Sequence, residues 1–160
     1  MYPGASLRDE MAMATQNDVR KIALTLPATR EVEGRFAFEV LNGSKYKGYA
    51  WVWMQRVDPR KARVPCPDVL AVRVADLDAK EILLMADSRK FFTEPHYDGF
   101  PAVLVRLKEI GRAELRELLI QAWAVQAPKV RVADFLKESE APKLPPVRAG
   151  KSKIRKSVVQ

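Results

Sequence analysis

Two aromatic-rich segments on either side of an Asn-Gly pair constrain the fold of this chain more than any other feature. The segments are "RFAFEV" (35–40) and "YAWVWMQ" (49–55), and the residues between them include Asn42 and Gly43. Aromatic and β-branched residues favour strands, and Asn-Gly is favoured in tight turns, so the pattern predicts an antiparallel hairpin. A third extended segment, "VLAVRVADL", predicts a further strand.

Apolar residues at helical spacing predict helices on both sides of these strands. The first helix lies within "TQNDVRKIALTLP", with Thr15 or Asn17 as its cap and Pro27 as its end. The second is "DAKEILLMADSRK", because Asp78 and Glu81 have the spacing of a capping box. Helices of this kind bury one apolar stripe, so they are expected to pack on the sheet.

A third helix is expected to begin near Gly111 and to be broken or restarted at Pro128. The element order is then α-β-β-β-α-β-β-α. This order predicts the α+β class, with helices packed on one face of an antiparallel sheet. We expect a disordered leader at 1–14, a single domain at 15–138 and a flexible basic tail at 139–160.

The net charge is concentrated near the C-terminus. The chain carries +8 at pH 7, and residues 141–160 alone hold six basic and no acidic side chains. The remaining 140 residues hold 22 basic and 20 acidic side chains, so the domain itself is nearly neutral. A basic segment that contains Pro and Gly is typical of a solvated arm, or of one that binds polyanions loosely.

Two short segments inside the domain are more basic than their surroundings. One is the predicted tip of the first hairpin, and the other is the following loop, "QRVDPRKARV". Their position beside the same strands predicts that they converge on one phosphate backbone, although solvated loops would have the same composition. The candidate nucleic-acid contacts are Lys45, Tyr46, Lys47, Arg56, Arg60, Lys61 and Arg63.

The histidine of this chain lies in "TEPHYDGFPAVLVRL", where Glu94, His96 and Asp98 are two residues apart. On a strand this spacing would place three metal ligands on one face. Asp98-Gly99 is also a hairpin-turn dipeptide, which explains the aspartate without a metal. The predicted ladder pairs are Tyr97–Phe100, His96–Pro101 and Glu94–Val103. We therefore expect no metal site, and a hydrogen-bonded structural role for His96.

A small-ligand or protein-interaction pocket near this hairpin is the alternative to a nucleic-acid surface. His96, Tyr97 and Trp53 are its candidate contacts. Trp51 and Trp53 alternate along one strand and share a face, which favours a place in the core beneath the helices over a platform for stacked bases. Cys66 lies between two prolines and is expected to pack rather than to react.

The motifs of common enzyme classes are absent from the sequence. It contains no G-x-G-x-x-G, P-loop or G-x-S-x-G. A single cysteine fits a reducing cytoplasm, and no apolar run approaches the ~20 residues that span a bilayer. We expect a non-catalytic, cytoplasmic, monomeric protein without a cofactor, and a metal-dependent enzyme is the least favoured alternative.

Three stretches resemble the MmcQ/YjbR family. They are "RVPCPDVLAVRVADLDAKEILLMAD", "FFTEPHYDGFPAVLVRL" and "ELRELLIQAWAVQAPKVRVADF". The resemblance covers about residues 16–138 and follows the same order of elements. It implies a frataxin-like α+β fold in a double-wing arrangement. Members are described as DNA-binding by structural analogy, without enzyme activity, so the implied partner is double-stranded DNA.

Two departures limit what the resemblance implies. Many members have a basic stretch similar to "NKRHW" at the turn of the second hairpin, whereas this chain has "YDGFP". The first helix carries Arg20 and Lys21, where frataxins have an acidic ridge. The second hairpin is therefore a weaker candidate for DNA contact, and iron delivery is not expected.

Overall fold

A computed structural model describes residues 13–140 of the chain. Most of the predicted basic tail and most of the predicted leader lie outside this range. The folded part begins earlier than predicted, because Ala14 is buried and its backbone N–H donates to the carbonyl of Leu107 at 3.0 Å. It also extends further, since the last helix ends at Glu140.

The described residues form four α-helices and six strands. The helices are α1 (Gln16–Ala23), α2 (Leu77–Ala86), α3 (Arg112–Gln126) and α4 (Lys129–Glu140). The strands are β1 (Thr29–Glu31), β2 (Ala37–Asn42), β3 (Lys45–Gln55), β4 (Val64–Arg73), β5 (Phe91–Phe92) and β6 (Ala102–Arg106). The α+β class is confirmed. The predicted order lacked β1 and did not count the helix that restarts at Pro128 as a separate element.

All neighbouring strands pair antiparallel in one open sheet with the order β1-β2-β3-β4-β6-β5. The two edge strands, β1 and β5, have three and two residues. Segments this short cannot display the alternation that reveals a strand in sequence, which is why β1 was missed. Short edge strands also leave few backbone groups free to pair with another chain.

The β2–β3 hairpin forms at the predicted Asn-Gly pair. Asn42 pairs with Lys45, so Gly43 and Ser44 are the two turn residues, and Gly43 has a φ of 69°. Glycine at the first turn position suits the twist of an antiparallel hairpin. The hairpin is confirmed, and its strands extend through most of the segment that was predicted as loop.

A β-bulge at Tyr49 changes which face the later residues of β3 occupy. The ladder pairs on either side of it are Phe38–Ala50 and Glu39–Gly48. Tyr49 and Ala50 therefore both join the main core, and the alternation is shifted by one residue beyond them. Trp51 and Trp53 lie on the other face. The prediction that these tryptophans lie beneath the helices is wrong.

All four helices pack on one face of the sheet, as predicted, and enclose the main core. Its largest fully buried side chain is Trp123 of α3, whose Nε1 donates to the carbonyl of Pro27 at 2.9 Å. The ring of Phe135 in α4 packs against Trp123, with 5.0 Å between ring centroids. Trp123 therefore joins α3 to the loop between α1 and β1 and to the last helix.

Of the caps predicted for the first two helices, one is confirmed and the other is wrong. Thr15 and Asp18 form a reciprocal capping box at the start of α1. The cap of α2 is Asp76 rather than Asp78, since its Oδ1 accepts from the backbone N–H of Ala79 at 2.8 Å. Pro128 directly precedes α4, as predicted.

Tyr49 should ionise late in an alkaline titration. Burial raises the pKa of Tyr49 to about 12, and the 3.1 Å hydrogen bond with Thr29 opposes this shift only in part. An unfolded tyrosine ionises near pH ~10. Between the two values the unfolded state binds fewer protons, so the free energy of unfolding should fall as pH rises. Tyrosinate absorbance should show a late step that Tyr49→Phe removes; an unchanged curve for that variant would contradict this assignment.

Candidate nucleic-acid interface

The face of the sheet opposite the helices is the helix-free face. The residues on it are Arg30, Glu39, Tyr46, Gly48, Trp51, Trp53, Phe92, Leu104 and Arg106. Its β4–β6 half is covered by residues 93–101, the 93–101 connector, whose Tyr97 packs on Ala71 and Leu104. Its β1–β3 half is open, since Arg30, Tyr46 and Gly48 are exposed.

The 93–101 connector is not the predicted two-residue hairpin. It contains one 3₁₀ turn, Pro95–Tyr97, followed by Asp98 with φ −64° and ψ 134° and Gly99 with φ 77°. With the 3.1 Å hydrogen bond from Phe100 N to Tyr97 O, these angles describe a type II turn, in which only the glycine needs a positive φ. The predicted ladder pairs Tyr97–Phe100, His96–Pro101 and Glu94–Val103 are wrong.

Lys80 of α2 holds the connector in place. Its Nζ donates to the carbonyl oxygens of Tyr97 at 2.6 Å and Phe100 at 3.0 Å, which are the two ends of the turn. The residue is 5% exposed. Burial lowers the pKa of Lys80, and the Asp98 carboxylate opposes that shift. Sequence reasoning missed this role, because a lysine in an amphipathic helix is normally solvent-exposed.

Tyr97 and the two tryptophans form a small apolar cluster on the helix-free face. Tyr97 is buried, and its hydroxyl oxygen accepts from Trp51 Nε1 at 3.0 Å. Burial raises the pKa of Tyr97, whereas the Trp51 hydrogen bond and the Arg63 charge lower it. Trp53 meets Phe92 edge-on, with 5.6 Å between ring centroids. The connector thus fixes the position of the Trp51 ring.

His96 lies on the solvent side of the same connector. Its imidazole is exposed and forms no hydrogen bond with any other of residues 13–140, so the predicted hydrogen-bonded role is wrong. Within the same range, no group of three His, Cys, Asp or Glu side chains is placed to hold a metal ion. Cys66 is half-buried and packs on the apolar cluster, as predicted.

The two basic segments do not converge, which corrects the central sequence prediction. Lys45–Lys47 begin β3 and Arg56 follows its end, so they are separated by about 30 Å of extended chain. Lys45 and Lys47 pair with Asn42 and Val40, on the side of the sheet that faces the helices. Tyr46 alone of the three lies on the helix-free face. Whether each residue contacts nucleic acid stays a prediction.

The 56–63 loop is held together by its own arginines. Arg56 donates to the carbonyls of Pro59 and Lys61 at 3.3 and 3.0 Å, and Arg63 donates to the carbonyl of Met54 at 3.2 Å. These two side chains shape the loop. The side chain of Arg60 is 90% exposed, with a loose 3.6 Å ion pair to Asp58. Arg60 and the exposed Lys61 are therefore the loop cations that are best placed to meet a phosphate.

Arg30 is a member of the open half that sequence reasoning missed. Its guanidinium lies over the ring of Tyr46 at 3.5 Å from the centroid, and its Nε donates to Glu39 Oε2 at 2.7 Å. The three residues come from β1, β2 and β3. A similar stack on the covered half places Arg106 over Phe92 at 4.0 Å. Because β1 was not predicted, nothing in the sequence placed Arg30 beside Tyr46.

Two concave regions flank the connector and the helices. A cleft of about 310 Å³ lies between α2 and the connector, lined in part by Lys80, Thr93 and Asp98. An apolar groove of about 390 Å³ lies between α2 and α3, with Ile82, Leu83 and Leu118 in its walls. Neither cavity is lined by His96, Tyr97 or Trp53, so a pocket at those three residues stays a prediction. No helix among residues 13–140 is both long and apolar enough to cross a bilayer.

Comparison with known sequences finds relatives of this chain in mycobacteria. Mb2600 of Mycobacterium bovis and Rv2570 of Mycobacterium tuberculosis, both named as uncharacterized proteins, are each 39% identical to it over 136 residues. The alignment covers 79% of this chain and 99% of each relative. The chain belongs to the same family as these proteins. No protein-family profile matches it.

Comparison with solved structures supports the fold. The crystal structure of Deinococcus radiodurans protein DR2400, a DUF419 domain, superposes with a TM-score of 0.54 and 23% sequence identity. The match covers 72% of this chain and 80% of that chain. DUF419 is the family known as MmcQ/YjbR-like. At this identity the likeness concerns the fold alone.

Proposed function

We propose that this chain is a non-catalytic nucleic-acid-binding protein of the MmcQ/YjbR type. In this proposal it binds with the helix-free face and the 56–63 loop rather than with the hairpin tip. Support comes from the surface charges and from the fold shared with a DUF419 domain. We further propose that it acts as a cytoplasmic monomer, in keeping with its single cysteine.

The observation that carries the proposal is the uneven distribution of charge. The four helices hold eight basic and eight acidic residues. The 56–63 loop, the helix-free face, the connector and Arg73 together hold seven basic and four acidic residues. The basic residues are Arg30, Arg56, Arg60, Lys61, Arg63, Arg73 and Arg106, and the acidic residues are Glu39, Asp58, Glu94 and Asp98. A polyanion would be drawn to this side of the molecule.

Two matched double variants test the proposal. Arg60→Gln with Lys61→Gln should weaken binding to duplex and single-stranded DNA, because each lost phosphate contact removes part of the counterion-release term. Lys45→Gln with Lys47→Gln removes the same charge from the helix side and should leave binding nearly unchanged. Fluorescence anisotropy over a range of salt concentrations measures both. On duplex DNA the loop variant should make the negative slope of log K against log salt shallower by up to about 2.

The basic tail requires a separate control. Residues 141–160 carry +6 and lie outside the described residues, and they can add non-specific affinity by themselves. A chain shortened after Glu140 should therefore bind more weakly but still respond to the loop variant. Complete loss of binding in the shortened chain, or no binding by the full chain at low salt, would overturn the proposal.

A small-ligand role is the second candidate, because of one atom in the cleft beside the connector. Thr93 Oγ1 is buried there and has no hydrogen-bond partner within residues 13–140. Buried hydroxyl groups are normally satisfied by protein, water or ligand. A compound that uses this site would be recognised by thermal stabilisation of the wild-type chain that Thr93→Val abolishes.

A further inference from the structure

Gly48 leaves a gap in the open half of the helix-free face that the backbone does not require. It lies in the middle of β3, is exposed, and is not among the glycines with positive φ. A Cβ added at this position would meet only Trp51 Cε3, at 4.0 Å, which is an ordinary van der Waals contact. A side chain would fit and would favour the strand. Glycine inside a strand often marks a bulge or a place where a ligand approaches the backbone. The bulge at Tyr49 borders Gly48 but does not require glycine there, because Gly48 has no positive φ.

The sides of the gap are two aromatic rings, one in a cation–π contact and the other held by a hydrogen bond. Tyr46 lies two residues before Gly48 and carries the Arg30 guanidinium on its ring. Trp51 lies beyond the bulge and is fixed by its hydrogen bond to Tyr97. The floor is fixed as well, because Gln126 Nε2 donates to the Gly48 carbonyl at 2.9 Å. A preorganised site of this kind loses little freedom when a flat ring enters it.

The charge beside the gap favours a nucleobase over a phosphate. Glu39 pairs directly with Gly48 across the β2–β3 ladder. Its Oε2 accepts from Arg30, and the structure gives Oε1 no hydrogen-bond partner among the described residues. A carboxylate repels a phosphate, whereas it can accept a hydrogen bond from the exocyclic amino group of cytosine, adenine or guanine. Thymine and uracil lack that group.

We infer that the gap over Gly48 is a seat for one unpaired base of a single-stranded nucleic acid. This inference rests on the proposed function and names the substrate class for the same face. Bases in a duplex have both faces covered by their neighbours, so only an unpaired base can offer a face to aromatic side chains. In this arrangement Tyr46 and Trp51 contact the base and Glu39 accepts from its amino group. The exposed cations of the 56–63 loop attract the backbone further along the face.

The experiment compares the full chain with variants that fill or weaken the seat. Anisotropy titrations use labelled oligo(dC), oligo(dT) and a mixed-sequence duplex of equal length. The wild-type chain should bind oligo(dC) more tightly than oligo(dT) and the duplex. Gly48→Val should weaken oligo(dC) binding by about tenfold or more, as expected for the loss of one stacked base. Gly48→Ala should have a smaller effect in the same direction.

Two further variants separate occupation of the seat from damage to the fold. Val130→Ile adds a methyl group at an exposed position of α4, on the helix side of the sheet, and it should leave binding unchanged. Tyr46→Leu alters an exposed side chain, so it should keep the melting temperature and still weaken oligo(dC) binding severalfold. If Gly48→Val lowers the melting temperature, its weaker binding does not distinguish a filled seat from a damaged fold. The oligo(dC) affinity of Tyr46→Leu then decides between the two.

The outcomes distinguish the inference from the proposed function. Salt-dependent binding that neither Gly48→Val nor Tyr46→Leu alters would overturn the base seat and leave the proposed function standing. Equal affinity of the wild-type chain for oligo(dC) and for the duplex would also overturn the base seat and leave the proposed function standing. Failure of the wild-type chain to bind any of the three nucleic acids at low salt would overturn both.

Discussion

Replacing Trp123 with alanine is expected to lower the free energy of unfolding by about 3–5 kcal/mol, the usual cost of truncating a large buried aromatic side chain. Trp123 is fully buried, packs against Phe135 and donates from Nε1 to the carbonyl of Pro27. The truncation would leave a cavity where α1, α3 and α4 meet, and would also leave that carbonyl without its donor. Urea unfolding followed by circular dichroism measures the change.

The phenylalanine variant is the matched control for this prediction. Trp123→Phe keeps most of the ring volume and removes the Nε1 hydrogen bond, so it should cost clearly less than the alanine variant. Equal losses for the two variants would mean that the hydrogen bond to Pro27, rather than the filled volume, stabilises the junction. A loss below about 1 kcal/mol for alanine would contradict the buried position of Trp123.

The Trp123 prediction also explains why one of the most telling stretches of the sequence says little about function. "AWAVQAPK" contains Trp123, Gln126 and the proline that separates α3 from α4. Gln126 donates to the carbonyl of Gly48 and accepts from Asn42 Nδ2 at 2.9 Å. The stretch therefore fixes the end of α3 to the β2–β3 hairpin. A resemblance in this stretch therefore indicates the fold. The stretch contacts the candidate site only through Gln126, which binds the Gly48 carbonyl.

Elements with a strong local signal were predicted well. The helix cap at Thr15, which was one of two candidates, the hairpin at Asn42-Gly43 and the helix restart at Pro128 each depend on a few residues that are neighbours in sequence. Local hydrogen bonds and turn geometry decide such features. They could therefore be inferred before the tertiary structure was known.

The features that shape the candidate site depend on contacts between distant residues. The bulge at Tyr49 turns Trp51 away from the main core, although simple alternation along β3 gives no sign of it. Asp98-Gly99 forms a type II turn because Lys80, seventeen residues before Tyr97, binds the carbonyls at both ends of the turn. Local preference allowed a hairpin at this dipeptide. The buried lysine and the packing of Tyr97 determined a different backbone.

The predicted convergence of charge failed for a geometric reason. Both basic segments adjoin β3, but a strand keeps its two ends far apart, unlike a turn, which brings its ends together. Alternation then placed Lys45 and Lys47 on the helix side and Tyr46 on the helix-free face. Counting charges in sequence identified basic loops correctly. It could not identify Arg30, which meets Tyr46 only because β1 joins the edge of the sheet.

Replacing Lys80 with methionine is expected to lower the free energy of unfolding by about 1–3 kcal/mol, because two hydrogen bonds from a charged donor to the carbonyls of Tyr97 and Phe100 would be lost. Each carbonyl keeps one backbone donor, Phe100 N for Tyr97 and Ala102 N for Phe100. Methionine keeps the apolar stem, so the change mainly reports those hydrogen bonds. Lys90→Met is the matched control: Lys90 forms ion pairs with Glu114 at 2.5 Å and, more loosely, with Asp87 at 3.9 Å, so this variant also loses charged contacts but leaves the connector carbonyls untouched. Urea unfolding of both variants should show the larger loss for Lys80.

The Lys80→Met variant should also disturb the helix-free face. Lys80 holds the connector that carries Tyr97, and the Tyr97 hydroxyl binds the Trp51 ring. A loosened connector would expose Trp51 to water and shift tryptophan emission to longer wavelength before any global unfolding. Lys90→Met should leave the emission unchanged. If Lys80→Met were as stable as the wild-type chain and kept its emission spectrum, the connector would not depend on the lysine. The fixed position of Trp51 beside Gly48 would then need a different cause, such as the packing of Tyr97 on Ala71 and Leu104.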